Sequence, residues 1–522
     1  MALIDAYNKP LTAKQAAHLL RRATFGPTPQ QIKDFTGLTA DAAITRLLQL
    51  SNADLNPAPP LDPGTNKTYV NLPFNNDAQG NWQAWTKRWW LGLMVNQPAN
   101  VLEKLVLFWQ NHFVVAYNTV NDSRTMYQYN QMLRKNALGN FKTFVIEVTK
   151  DAGMLRYLNG NQNTKNSPNE NYGRELQELF TIGVKKPDGT PNYNEDDIKA
   201  AAKVLTGWRD RNYRADDLPL SEFLASNHDT TDKKFSAYYQ NTTIKGRTWS
   251  TAGDDELKDL IDMILKQPET ARNIVRELYR WYVNFDITPD IEKNFIEPLA
   301  TTFSKDFDIK TVLAVMLKSE HFFDEKVRGA IIKSPVELIV GLLRYSGIST
   351  PDMATKATDF YSFTQNIQSQ ANLMQQDVMN QTTVFGWRPY YDTDFYQLWI
   401  SSSTLAIRGR FSDSLLNGSF KASGKVYAVD TIAIAKLTSD PSDPVKLVDE
   451  IAANIMAIDL TQSQKDFLID QTLLPGLPRY EWFPEWQDYI KAPNDKNKMT
   501  AVKMKLDMLM QFMFRMAEYQ VS

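Results

Sequence analysis

A grammar that repeats along the chain constrains its fold most. A small hydroxyl residue comes first, then a Gln or Glu three positions later, then apolar residues every three to four positions. "LTAKQAAHLLRRATFG" is one instance. Thr12 and Gln15 are spaced as a capping box, in which the hydroxyl accepts from the third helical amide and the Gln side chain returns to the cap amide. Ala16, Leu19, Leu20 and Ala23 then share one face, and Gly26 marks a stop. Thr28, Pro29 and Gln31 repeat the pattern, with proline at the first helical position where its missing N–H costs nothing. "PANVLEKLVLFWQNHFVVAY", "DDELKDLIDMILKQ", "PETARNIVRELYRWYV", "DIKTVLAVMLKS" and "SPVELIVGLLRYSG" have the same period, and "MTAVKMKLDMLMQFMFRMAEYQ" is a Met-rich helix. Alternating β-branched runs are scarce, and only "KVYAVD" and "TTIKGRTW" qualify as short strands. The expected fold is mainly α, a large multi-helical globular assembly with few short strands.

Loops are expected at 56–66, 210–250, 438–444 and 473–486, none of them a long flexible linker. No repeat period is found. A chain of 522 residues allows several domains. The expected division is a helical main part, 1–345, carrying the polar motifs, with a C-terminal helical part, 346–522, packed on it. A single domain over 1–522 is the alternative.

Lys and Arg number 58 against 60 Asp and Glu, so the chain as a whole presents no basic surface and nucleic acid is not expected as a partner. No apolar run reaches the roughly 18–20 residues that span a bilayer. "MALIDAYNKPLTAKQ" lacks the basic and apolar regions of a secretory signal, which makes the cytoplasm the default expectation. The absence of cysteine removes disulfides, thiolate metal sites and cysteine nucleophiles. Imidazole chemistry has only His18, His112, His228 and His321 to draw on.

The densest polar stretch is "YLNGNQNTKNSPNENYGRELQELFTIG", Tyr157 to Gly183. Ser167, Pro168 and Glu170 read as a helix start with Ser167 as the cap. Tyr172, Leu176, Leu179 and Phe180 share the apolar face; Glu170, Arg174, Gln177, Glu178 and Thr181 lie opposite, with Glu175 on the border. A capped surface helix with Glu170–Arg174 and Arg174–Glu178 pairs accounts for this pattern. So does a polar face turned into a cleft, where Glu175 and Glu178 reach one cation or substrate and a desolvated Arg174 holds a carboxylate or a hydroxyl. Asn159, Asn161, Asn163 and Glu170 also fall at calcium-loop offsets. Neutral amides, Thr164 in place of glycine and the interrupting Pro168 argue against that reading.

Elsewhere, His18 reads as a buried histidine bonded to backbone, and Asn111-His112 as the end of an aromatic helix that can open into a pocket. His228-Asp229, a loop pair followed by Lys233 and Lys234, is the best acid/base candidate; an Asx turn accounts for it as well. Trp208, after Gly207, offers a face on which a sugar could stack. G-x-S-x-G, P-loop, Rossmann and H-E-x-x-H signatures are missing.

"AAHLLRRATFG", "FWQNHF", "PNENYGRELQELFTIG", "VLTGW" and "NHDTTDKKF", followed by "SPVEL" and "FGW…LWISSSTLAIR", occur in the order found in the bacterial family called domain of unknown function 1800, DUF1800. The chain resembles that family from about Ala16 to its C-terminus. It departs at "MNQTTVFGW", which lacks the proline pair usual before the late Gly-Trp. The resemblance implies that the Asn-rich loop, the RELxELF helix and the His-Asp pair are family features. It supplies no activity. Its members' habits point to export to the periplasm or cell surface and to a partner encoded by a neighbouring gene.

Two functions follow as expectations. In the first, the chain is a hydrolase acting on a carbohydrate or other polar polymer, with Glu175, Glu178, His112, His228 and Asp229 as acid/base groups. Asn169, Glu170, Arg174, Lys234 and Trp208 then hold substrate. A divalent cation is compatible with these ligands and none is required. In the second, the chain is a non-catalytic partner or scaffold for a neighbouring gene product, and the same groups form a buried network.

Overall fold

The computed structural model describes residues 3–391 and 393–522, with the side chains of 391–395 outside the description. The protein is mainly α: more than half of the chain is helical. Among the described residues the strands form only two-stranded antiparallel hairpins. The capping boxes form at Thr12–Gln15, Thr28–Gln31 and Ser334–Glu337, each with both reciprocal bonds. Each leaves two fewer amide donors unsatisfied at its helix start.

The strand candidates shrink to two residues each. Lys425–Val426 pairs with Lys421–Ala422, and Thr243–Ile244 pairs with Lys233–Lys234. The longest hairpin, Trp208–Arg211 against Leu220–Phe223, begins just before the segment expected as loop and lies mostly within it. Its strands are too polar and too short for alternation to stand out, and the directly opposed Trp208–Phe223 rings supply its packing.

One continuous cluster of buried apolar side chains runs from Leu11 to Tyr519, with two small satellites around Tyr69 and Phe360. Three helices position the candidate site on this core. Leu102–His112 is buried on every face from Leu102 to Asn111, with Glu103 and Lys104 paired to Arg134 and Glu337, and its C-terminal end delivers Asn111 and His112. Pro268–Tyr282 is amphipathic and packs Ile274, Val275, Leu278 and Tyr279 inward. Glu170–Glu178 lies on Glu195–Val204 at Gly173, where a Cβ would stand 3.2 Å from the Ala202 nitrogen and 3.3 Å from the Ile198 carbonyl. Only glycine allows so close a crossing without displacement. No described helix is long and apolar enough to cross a membrane.

Candidate acid–base site

The ends of these helices enclose an open pocket of about 160 Å³ lined by Asn111, His112, Glu178, Asn273, Glu277 and Trp281, with Phe385 and Tyr390 closing one side. Asn273, Glu277 and Trp281 are spaced i, i+4, i+8, so the Pro268–Tyr282 helix presents all three in one row. His112 Nε2 lies 3.2 Å from the Phe180 carbonyl. A carbonyl only accepts, so Nε2 carries the proton and Nδ1 keeps its lone pair. Burial pulls the imidazole down to about 4, which leaves it neutral at pH 7. Glu277 is half-buried; desolvation raises its carboxyl even though Arg280 Nη1 sits 2.9 Å away. Glu178 bonds to the Tyr193 hydroxyl and lies 3.4 Å from Arg174 Nη1. Two carboxylates, a neutral imidazole and two amides therefore line one solvent-reaching space.

Glu175 stands beside this pocket rather than in its lining, close to Tyr157. Burial and then the Glu178 charge push its carboxyl up to about 7. Arg174 is not sealed among carboxylates and asparagines. Its side chain is 33% exposed, and its main partner is Glu195 of the following helix, gripped through both terminal nitrogens at 3.0 and 2.7 Å. Glu170, at 3.6 Å, is a weaker neighbour.

The helix starts two residues later than Ser167 implies. Asn169 is the cap, accepting from the Asn171 amide at 2.9 Å while its own amide donates to Asn163 Oδ1 at 2.9 Å. The asparagine loop is knotted on itself and on its neighbours. Asn163 Nδ2 donates to the Ala202 carbonyl at 2.8 Å, and Asn161 Nδ2 donates to Asp210, which also takes the Arg156 guanidinium. Asn163 thus has both ends of its amide engaged within the protein. Among the described residues no group of three His, Cys, Asp or Glu side chains converges as a metal cluster.

His228 and Asp229 lie apart from the pocket, in a sealed network. His228 Nδ1 is 2.9 Å from the Thr206 carbonyl, and Nε2 is 3.1 Å from Glu256 Oε1, off the line of a hydrogen bond. Lys233 Nζ donates to the other Glu256 oxygen at 2.6 Å, and the Arg247 amide donates to the first at 2.8 Å. His228, Lys233 and Glu256 are each no more than 1% exposed. Asp229 turns back to accept from the Thr231 amide and hydroxyl, the Asx turn its loop position allows. Trp208 is buried against Phe223 beneath Lys150, while Lys234 is exposed on its strand. The structure therefore brings Glu178 and His112 together, sets Glu175 at their edge, and leaves His228, Asp229 and Trp208 elsewhere. Glu277 and Asn273 went unnoticed in the sequence. Their i, i+4 spacing on an otherwise amphipathic helix was the available signal.

Fold and pocket together define a class: a cysteine-free, mainly helical protein whose core helices end at a small cleft lined by two carboxyl groups and an imidazole. The chain belongs to the DUF1800 family, whose model, described as a protein of unknown function, matches residues 18–521. Comparison with curated proteins and with solved structures gives no match.

Proposed function

We propose that this chain is a hydrolase acting on a carbohydrate or other polar polymer, with Glu277 as proton donor and Glu178 as the facing carboxylate. The observation that carries the reading is the shared pocket. Two carboxyl groups line it, and burial holds that of Glu277 above its usual range, which suits a proton donor. Neutral His112, with Nδ1 free to accept, orients a water. Asn111 Oδ1 is occupied by the Trp387 amide at 2.8 Å and acts as a strut for the pocket wall. A larger groove of about 600 Å³ meets the pocket at Asn273, and Lys185, Lys186 and Lys293 line it. That volume suits more than one unit of a polymer, and its five cations, against Glu292 and Glu297, favour acidic repeat units.

The test is product release from a panel of neutral and uronate-containing polysaccharides. Glu178→Gln and Glu277→Gln should each lower the rate by roughly 10²–10⁴-fold, the usual worth of a positioned acid or base. Wild-type rates in both variants would end the proposal.

A second reading, a docking partner, rests on a separate observation. Met504, Met508 and Phe512 form an exposed row along Lys496–Arg515, and exposed Phe467 lies 5.0 Å from the Phe512 ring. A stable complex with the neighbouring gene's product, lost in Met508→Glu, alongside no hydrolysis of any polymer, would favour it.

A further inference from the structure

Three of the motif segments that the acid–base pocket does not use meet elsewhere in the core. "HLLRRATFG" brings Arg21, Arg22 and Phe25, the helix start at "KSPVEL" brings Lys333 and Glu337, and "STLAIR" brings Arg408. Lys104 joins them from the Leu102–His112 helix. All five cations are at most 7% exposed, and the one acidic side chain beside them among the described residues, Glu337, is taken by Lys104 and the Ser334 amide. Among the described residues the other cations donate to neutral acceptors. Arg22 donates to the Val283 and Val327 carbonyls, Arg21 to that of Asn454, and Lys333 to that of Tyr519 at 2.5 Å. Arg408 donates to the Lys333 carbonyl at 2.7 Å and the Trp399 carbonyl at 3.2 Å. Arg22 and Arg408 each keep a buried Nε–H with no partner. Carbonyl dipoles solvate a cation but do not neutralise it, so a surplus of positive charge remains inside the protein.

A cavity of about 40 Å³ opens beside two of these cations, lined by Arg21, Lys333, Glu337, Tyr345, Tyr519 and Ser522. One water needs about 10–15 Å³ by the same measure, so a single small polyatomic ion fits and an extended ligand does not. We infer that this cavity is a binding site for one small oxyanion of the phosphate or sulphate class, held between the Arg21 guanidinium and the Lys333 ammonium. Guanidinium and ammonium donors suit tetrahedral oxyanions by geometry and charge. The electrostatics agree. Burial and then the neighbouring Arg21 charge draw the Lys333 amine well below its usual range, and burial draws Arg22 to about 9. An anion bound in the cavity lies against Lys333 and draws its amine back toward the protonated form. The site is independent of the proposed hydrolase pocket, with which it shares no lining residue.

The test is isothermal titration of the full-length chain with sodium phosphate and with sodium sulphate, at constant ionic strength. Saturable one-to-one binding of at least one of them is expected, weakened at least about tenfold in Lys333→Met and unchanged in Lys199→Met, an exposed control. Should Lys333→Met not fold, the wild type decides alone, because an anion bound only by the folded state raises the melting temperature with the logarithm of its concentration. No saturable heat and no such rise with either anion, or equal affinity in a folded Lys333→Met, overturns the site.

Discussion

Single residues in this protein report their surroundings through their acid–base behaviour. Glu175 is the clearest case. Its folded carboxyl sits at about 7 against an ordinary 4.5, because burial and the Glu178 charge both oppose ionisation. Between those two values the folded state keeps a proton that the unfolded chain has lost, so stability falls as pH rises through that window. Glu175→Gln removes the loss. Urea melts should show the variant more stable than wild type at pH 8, with the difference gone at pH 4. An equal difference at both values would show that Glu175 titrates normally. The sequence placed Glu175 on a helix border, which is where the structure has it. It could not reveal the partner of Arg174. The spacing showed Glu170 and Glu178 at one turn, but Glu195 belongs to the next helix and closes the best ion pair from outside the pattern. Local periodicity reads neighbours along a helix and is blind to neighbours across one.

At the scale of elements, the helices were legible because capping and amphipathic period are written within ten or so residues. Thr12–Gln15, Thr28–Gln31 and Ser334–Glu337 all behave as spaced. Loops were harder, because their hydrogen bonds go to distant chain. The asparagine loop moved the expected cap from Ser167 to Asn169 by tying Asn163 to both Asn169 and Ala202. The acid–base pocket shows the same limit: one wall depends on a loop glycine meeting a helix end. Gly386 has a φ of 89°, and a Cβ there would stand 2.4 Å from Asn111 Oδ1 and 2.8 Å from the Asn111 carbonyl. Gly386→Ala should therefore cost about 1–3 kcal/mol by overpacking, with backbone strain in addition. It should also loosen the Asn111–Trp387 bond that shapes the pocket. A urea midpoint within a few tenths of a kcal/mol of wild type would show that this wall yields freely.

At the scale of the whole molecule, one core joins Leu11 to Tyr519. The helix from Pro335 to Tyr345, which ends where the expected main part ends, packs on both Gln79–Asn96 and Ser402–Leu416. A chain built this way should unfold in one step. Tryptophan fluorescence and far-ultraviolet circular dichroism should trace the same urea transition, because among the described residues one cluster holds nearly all of the buried apolar side chains. Two resolved transitions would instead support separable parts at 1–345 and 346–522. Nothing in the local sequence announces this continuity, since it depends on pairs such as Arg344 with the Gly26 carbonyl, 318 positions apart.

Lys233 and Lys234 are adjacent in sequence and opposite in circumstance: one amine is locked on Glu256 inside the protein, the other stands in water. To an acylating reagent the pair is an internal stopwatch. Lys234, exposed, reacts continuously and counts elapsed time, while Lys233 reacts only during the moments when its strand lifts. The ratio of the two modified forms in a single peptide reads out how often that segment opens, with no need to know the reagent's concentration.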